Sequence, residues 1–374
     1  MLIERIREWF IRANQISKQD RLRPRDLERM DDMFKALSRA DASVKPSLYW
    51  EELNKMNLAQ LKEDGFDNFK RTIALNYFTW VRILPWDSQI IFLCRQLEMT
   101  AIFRALGHAF RFCGRKYFSN PIQSFSYGLL TFLLWEYILD GEHSQELLTL
   151  REPELGGPPL ADPREGMSVS QDLGNSILEY ESFKGGLPAG GQGTVLELGG
   201  GYGRNAFVIL KMNPHFRYVA VDIPPALWVA ERYLSGLFPE RHIFPYRDFQ
   251  QFEEIAESYA HADLVFLLSS QLAALPPDSI DLIINISSLH EMRKDQIDHY
   301  FQLFDRVLKP GGHAYIKEWK KARILFENMT LTEKDYPCPK GWKKIMSRTA
   351  QVQTRFFETL YKKEQRKGLS VCWL

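Results

Sequence analysis

The chain has 374 residues, 45% of them hydrophobic and 25% charged, with a formal net charge of +1. This is the balance of an ordinary globular protein with a sizeable core, and the length suits about two domains. So neutral a chain has no global basic field, which argues against nucleic acid or anionic lipid as a partner.

The first stretch, MLIERIREWFIRANQ, is charged within five residues and has no continuous apolar run, so it does not read as a signal peptide. Leu2, Ile6, Trp9, Phe10 and Ala13 share one helical face, which predicts a helix packed on its own protein or on a dimer partner. Helical periodicity continues to about residue 150, with breaks at Pro24, Pro46, Gly65, Pro85, Gly114 and Pro121. Over 65–84, Asp67 or Asn68 can cap a helix whose Ile73, Tyr77, Trp80 and Leu84 repeat at three or four residues. YGLLTFLLWEYIL at 127–139 is too short to span a bilayer, which needs about 20 residues, and reads as a buried helix. EPELGGPPLADPREG at 152–166 is dense in proline and glycine, which suggests a linker or the wall of a cleft mouth.

From about residue 166 the rhythm changes. TVLEL (194–198), YVAVD (218–222), DLVFLL (263–268), DLIINIS (281–287) and GHAYIKEW (312–319) are short apolar runs. Helical stretches at 204–212, 225–236, 249–260 and 294–308 separate them, and WKKIMSR (342–348) and TRFFETLY (354–361) form a closing pair. Strands alternating with helices predict an α/β fold, a seven-strand, doubly wound, Rossmann-like sheet. The expected organisation is a helical N-terminal domain over 1–165, a ligand-binding sheet domain over 166–364 and a tail over 365–374. Cys94, Cys113, Cys338 and Cys372 lie far apart without a CxxC pair, so no zinc site or disulfide framework is expected and a cytoplasmic setting is the simplest reading.

The chemistry centres on TVLELGGGYGRN at 194–205. In an open α/β sheet, ligands bind beyond the carboxyl ends of the strands, near the reversal of strand order. Gly199, Gly201 and Gly203 let a ligand approach the backbone, and the helix from Arg204 points free N–H groups at it. Asp222 ends the next strand, where a carboxylate can take both hydroxyls of a ribose. A dinucleotide would need G-x-G-x-x-G, but the sixth position counted from Gly199 is Arg204. Glu197, two residues before the first glycine, would repel a pyrophosphate and welcome an ammonium. S-adenosylmethionine carries an ammonium, a carboxylate and a ribose, and fits this pattern part by part. Gln271 after the third strand can receive the adenine amine, and Asn285 or Ser287 at the end of the fourth can contact the cofactor. Ser269, Ser270, Asn175 and Arg204 are further candidates, each with a plain structural alternative.

With these residues the sequence resembles the class I S-adenosylmethionine-dependent methyltransferases. NFKRTIALNYF (68–78), EPELGGPP (152–159), SVSQDLGNSILEYESF (168–183), VDIPPALWVAERYL (221–234), ISSLHEM (286–292), LKPGGHAYI (308–316) and DYPCPKGWKK (335–344) carry a narrower likeness, to a bacterial sugar O-methyltransferase family. It covers about residues 45–362 and implies a small-molecule or glycan acceptor. Methyl transfer is an in-line displacement, so such an enzyme mainly aligns nucleophile and methyl. A sugar hydroxyl gains from a base as its proton leaves. His290 in LHEM is the candidate base, since an imidazole titrates near neutral pH. Glu291 can orient it, act as base itself or grip a sugar hydroxyl. Lys70, Arg71, Asn76 and Tyr77 are hints of acceptor recognition. Glu291 with Asp295 one turn on is too little for a magnesium site, so no metal is expected. A non-sugar acceptor and a non-catalytic scaffold are the competing readings, and a homo-oligomer is an open possibility.

Overall fold

The computed structural model describes residues 22–71, 84–115, 117, 118, 120–324 and 329–365. The expected N-terminal helix, most of the 65–84 helix with Asn76 and Tyr77, Cys372 and the tail beyond Gln365 lie outside these residues.

An eight-stranded sheet organises the chain. Its strands are β1 (Gly193–Leu198), β2 (Phe216–Asp222), β3 (Ile243–Phe244), β4 (Leu264–Leu268), β5 (Ile280–Ile286), β6 (Leu308–Trp319), β9 (Trp342–Thr349) and β10 (Phe356–Lys363), in the order β3-β4-β2-β1-β5-β6-β10-β9. A separate antiparallel ribbon pairs β7 (Lys321–Ile324) with β8 (Met329–Thr332). The seven expected strands are all present, and β3 adds an edge strand. Pro245 follows its two residues and has no N–H to continue the ladder, so the strand is too short for periodicity to reveal. The first six strands of the sheet pair in parallel; β10 runs antiparallel to β6 and β9. Since β2 and β5 flank β1 on opposite sides, strand order reverses at β1, the position from which an α/β sheet presents a ligand crevice.

Alternate residues of each central strand enter two cores. Val195, Tyr218, Phe266 and Leu282 face one side; Leu196, Val219, Val265 and Ile283 face the other. Burial on both faces explains the nearly continuous apolar runs. The first core continues without a break into the N-terminal helices α1 (Pro24–Ser38), α2 (Leu48–Asp64), α3 (Ser88–Gln96), α4 (Met99–Cys113), α5 (Pro121–Asp140) and the short α6 (Gln145–Thr149). Helix α5 is buried nearly all round, which is why its 127–139 run is apolar on every face. It packs on α7 (Gln171–Phe183), where a Cβ at Gly174 would meet Leu134 Cδ2 at 2.8 Å. Helix α2 ends at Gly65, in the left-handed region with φ 73°.

The 152–166 stretch is packed rather than loose. Phe69 fills the space a Cβ of Gly156 would need, 2.3 Å away, and Lys70 N donates to Gly156 O at 3.0 Å. The helix expected over 249–260 shortens to α10 (Ala256–Ala260) preceded by a turn, because Glu254 Oε1 accepts from Gln250 N and Gln251 N and captures the backbone locally. The remaining helices, α8 (Arg204–Met212), α9 (Ala226–Leu237) and α11 (Lys294–Val307), lie within a residue of expectation.

Candidate active site

A pocket lies over the carboxyl ends of β1, β2 and β5, lined by Gly199, Gly201, Asp222, Ile223, Ser287 and Ser288 among others. Two glycines of the loop have a clear steric reason. Gly199 has φ +71° and a Cβ there would meet Ser288 Oγ at 2.4 Å; Gly203, at φ +89°, caps α8 where a Cβ would meet Leu234 Cδ1 at 2.8 Å. Ser287 has φ +55°, uncommon for a residue with a side chain, so the loop after β5 holds strain at the pocket wall.

Asp222 is anchored from two sides. Gly201 N donates to Oδ2 at 2.8 Å and Ile223 N to Oδ1 at 2.7 Å. These bonds set the carboxylate at the pocket edge and leave each oxygen a further lone pair. Burial pushes its pKa up to about 7, against the two backbone donors, which favour the charged form.

Glu197, expected to receive the ligand's ammonium, is buried beneath the loop. A Cβ on Gly200 would meet its Oε2 at 2.4 Å. Asn205 Nδ2 donates to Oε1 at 3.1 Å and the Tyr218 hydroxyl to Oε2. Burial raises its pKa, opposed by both donors. Arg204 neither reaches the pocket nor lies exposed. Nη1 donates to Glu179 Oε2 at 2.6 Å and to Ser176 Oγ at 2.8 Å, while Lys317 Nζ donates to Glu179 Oε1 at 2.8 Å. Burial alone would raise the Glu179 pKa; the two cations outweigh it and hold this carboxylate well below the usual range. The loop, α7 and β6 are thereby tied together.

Gln271, expected at the adenine edge, is buried after β4. Its Oε1 accepts from Leu268 N at 2.9 Å and its Nε2 donates to Arg247 O at 2.9 Å, so both ends of the amide hold backbone. Asn285 Nδ2 donates to Leu198 O at 2.9 Å and to Ser288 Oγ at 2.6 Å, joining the ends of β1 and β5 below the pocket. Ser269 lines the pocket, and Asn175 is buried on α7. Lys70 is buried in an ion pair with Glu152 and donates to the Tyr233 hydroxyl at 2.9 Å; Arg71 donates to Gly157 O. These two cations fasten the helical part to the 152–166 stretch.

His290 and Glu291 stand beside the pocket, in the short turn after β5; Met292 next to them lines it. The dominant partner of His290 is Glu318, at the end of β6, with Nδ1 and Oε2 2.8 Å apart, whereas Glu291 Oε1 is 3.5 Å from Nε2. Glu318 Oε1 accepts from Ser288 N at 2.9 Å and Leu289 N at 2.7 Å. One buried carboxylate thus folds the turn and orients the imidazole. Burial disfavours the imidazolium, but Glu318 and Glu291 outweigh it and the His290 pKa is raised. Glu291 is pushed up to about 7, first by burial, opposed by His290 and by a hydrogen bond from Trp50.

Sequence reasoning missed Glu318, Trp50, Tyr300 and the segment around Val44–Pro46. Trp50, Tyr300 and that segment line the pocket from elements far apart in the chain. Arg293 Nη2 donates to Ala42 O at 3.0 Å and Gln296 Nε2 to Lys45 O at 2.7 Å, so the start of α11 holds the segment in place. The only early signal was the acid in KEW at the end of β6, where an α/β sheet presents functional groups.

Residues 196–314 match the family model described as "Methyltransferase domain". The match runs from β1 into β6 and contains the glycine loop, Asp222 and His290. Residues 196–314 are thus a methyltransferase domain on a doubly wound sheet, and S-adenosylmethionine is its cofactor. The glycine turn and the doubly anchored Asp222 suit that ligand's backbone approach and ribose.

Among curated proteins, the chain is similar to sterigmatocystin 8-O-methyltransferase of Aspergillus flavus, 23% identical over 177 residues. The alignment covers 45% of this chain and 41% of that protein, so the chain spans about two fifths of the relative's length. Among solved structures, it is similar to a SAM-dependent methyltransferase of Leishmania major at 18% identity and a TM-score of 0.36, covering 50% of this chain and 71% of that one. A SAM-dependent methyltransferase from Aquifex aeolicus is similar at 16% identity and a TM-score of 0.32, covering 49% and 88%. Among the described residues no helix is long and apolar enough to cross a membrane.

Proposed function

We propose that the protein methylates a hydroxyl of a sugar, in a glycan, a nucleotide sugar or a glycosylated metabolite, with His290 as general base. The observation that carries the reading is His290 held by Glu318 at 2.8 Å beside the glycine-loop pocket. S-adenosylmethionine supplies a methyl group already activated by its sulfonium. The chain's own task is to hold the hydroxyl in line and take its proton. In the tautomer that donates from Nδ1 to Glu318, His290 Nε2 is the basic atom, with Glu291 Oε1 3.5 Å away, and the two carboxylates stabilise the imidazolium that forms. Asp222 takes the ribose hydroxyls, and Gly199, Gly201 and Gly203 let the cofactor lie on the backbone. Glu197 and Asn285 act beneath it, keeping the loop and the ends of β1 and β5 in register.

A sugar is supported by the groups next to His290. The Trp319 ring centre is 6.1 Å from that of His290, and Trp50 hydrogen bonds Glu291. Flat rings stack on the apolar faces of sugars, and a carboxylate such as Glu291 accepts from their hydroxyls. A non-sugar hydroxyl is the second reading, since the similar Aspergillus protein is named for an 8-O-methylation of sterigmatocystin. Calorimetric titration with S-adenosylhomocysteine on wild type and Asp222→Ala tests the cofactor site. A screen of sugar and aromatic acceptors, read by mass, then separates the two readings. Methylation of aromatic acceptors alone would overturn the sugar assignment.

A further inference from the structure

Helix α4 buries one face and leaves the other bare. Ala101, Ala105, Ala109 and Phe112 enter the core. On the opposite face Phe103 is 65%, Phe110 68% and Met99 61% exposed, and Ile122 at the start of the neighbouring α5 is 62% exposed. At roughly 200 Å² for a whole phenylalanine side chain, the four leave on the order of 500 Å² of apolar surface. That is the upper range of the largest patch on a monomer, and more than half of the roughly 800 Å² per partner in a standard interface.

Gly107 lies between the two phenylalanines, and a Cβ there would have nothing within 4 Å. A glycine inside a helix costs about 1 kcal/mol relative to alanine. Neither its own backbone nor any neighbour among the described residues requires it, which leaves room for a helix that approaches from outside. Thr100, Phe103, Gly107, Phe110 and Gly114 alternate three and four residues apart, the spacing of a seam between two paired helices.

We propose that α4 packs antiparallel on α4 of a second copy of this chain, about a two-fold axis close to Gly107. Such an interface must be complementary to itself. Antiparallel packing sets Phe103 beside the Phe110–Arg111 end of the other helix and lets both backbones approach at the glycines. It also brings exposed Glu98, at the helix start, towards Arg111 at the basic end, where Arg115 is held by Asp162 of its own chain. Arg104, on the same side, is already paired with Glu136 of its own α5 at 2.8 and 2.9 Å, so no like charges are left facing each other there.

Sedimentation of the full chain from about 1 to about 100 µM tests this, a window that reaches the weak association of a patch smaller than the standard interface. The expected result is a wild-type dimer. Phe103→Glu combined with Phe110→Glu should weaken it about thirtyfold or more, as loss of central aromatic anchors does. Gly107→Gln has room in the protomer and a better helix former, so it should fold with an unchanged or raised melting temperature while weakening association at least about tenfold. If the double variant misfolds by circular dichroism, Gly107→Gln alone decides. A wild type that stays monomeric at about 100 µM, or a dimer that both variants leave intact, overturns the proposal.

Discussion

At the scale of single residues, Glu318 links the fold to the chemistry. It accepts two backbone N–H groups of the 288–291 turn and pairs with the His290 ring, so the turn and the proposed base are held by the same carboxylate. His290→Ala is expected to keep S-adenosylhomocysteine binding and lose roughly 10² to 10⁴ in turnover, read in parallel calorimetry and rate assays. Because a base works only when neutral, activity should rise with pH through the raised His290 pKa. Glu318→Gln removes the stronger of the two carboxylates that raise it, so the acid limb of the pH–rate profile should move to lower pH; a limb that stays put would remove Glu318 from this role. Asp222 and Glu291 make a second prediction. Both have folded pKa values near 7, above their unfolded values near 4. Their contribution to stability is therefore present below about pH 4 and is lost as pH rises towards 7. The ligand-free melting temperature should fall over that window, and the fall should be smaller in Asp222→Asn with Glu291→Gln. On the proposed reading cofactor affinity runs the other way, because ribose hydroxyls would donate to the ionised Asp222. Binding of S-adenosylhomocysteine should strengthen from pH 6 to 8 in wild type and stay flat in Asp222→Asn.

Between elements, the buried Arg204–Glu179–Lys317 cluster joins the start of α8 to α7 and β6. Taking charge from one member strands the others in a dry interior, which costs about 3–5 kcal/mol. Glu179→Gln should lower unfolding stability by that order in urea titrations, and an exposed control such as Lys55→Gln should change it by less than about 0.5 kcal/mol. The strands and helices of the sheet domain were legible from periodicity, because buried parallel strands must be apolar in runs and the helices between them amphipathic. The short β3 and the broken 249–260 helix were not, since Pro245 and the Glu254 side chain act locally and leave no period.

For the molecule as a whole, the helical part and the sheet share a core, and Val44, Lys45 and Pro46 come from the N-terminal side to wall the candidate cofactor pocket. Gln296 holds that segment by its carbonyl at Lys45. Gln296→Ala should speed S-adenosylhomocysteine release severalfold in stopped-flow measurements while the far-ultraviolet spectrum stays the same. An unchanged release rate would mean that the segment does not control exit.

What the sequence determined by itself was the class of fold, the glycine turn and the acid at the end of β2, because each follows from neighbours within a few residues. A glycine that must turn and a strand that must be buried declare themselves locally. The tertiary structure alone decided which way the other polar groups face. Glu197 and Gln271 are candidates for the ligand by position along the chain, and the packing adds partners for them inside the protein, Asn205 and Tyr218 for the first and the Arg247 carbonyl for the second. Glu318 and Trp50 come to His290 and Glu291 from strands and helices far away in sequence. A buried polar atom must find a partner, and which one it finds is settled only when distant elements are packed together.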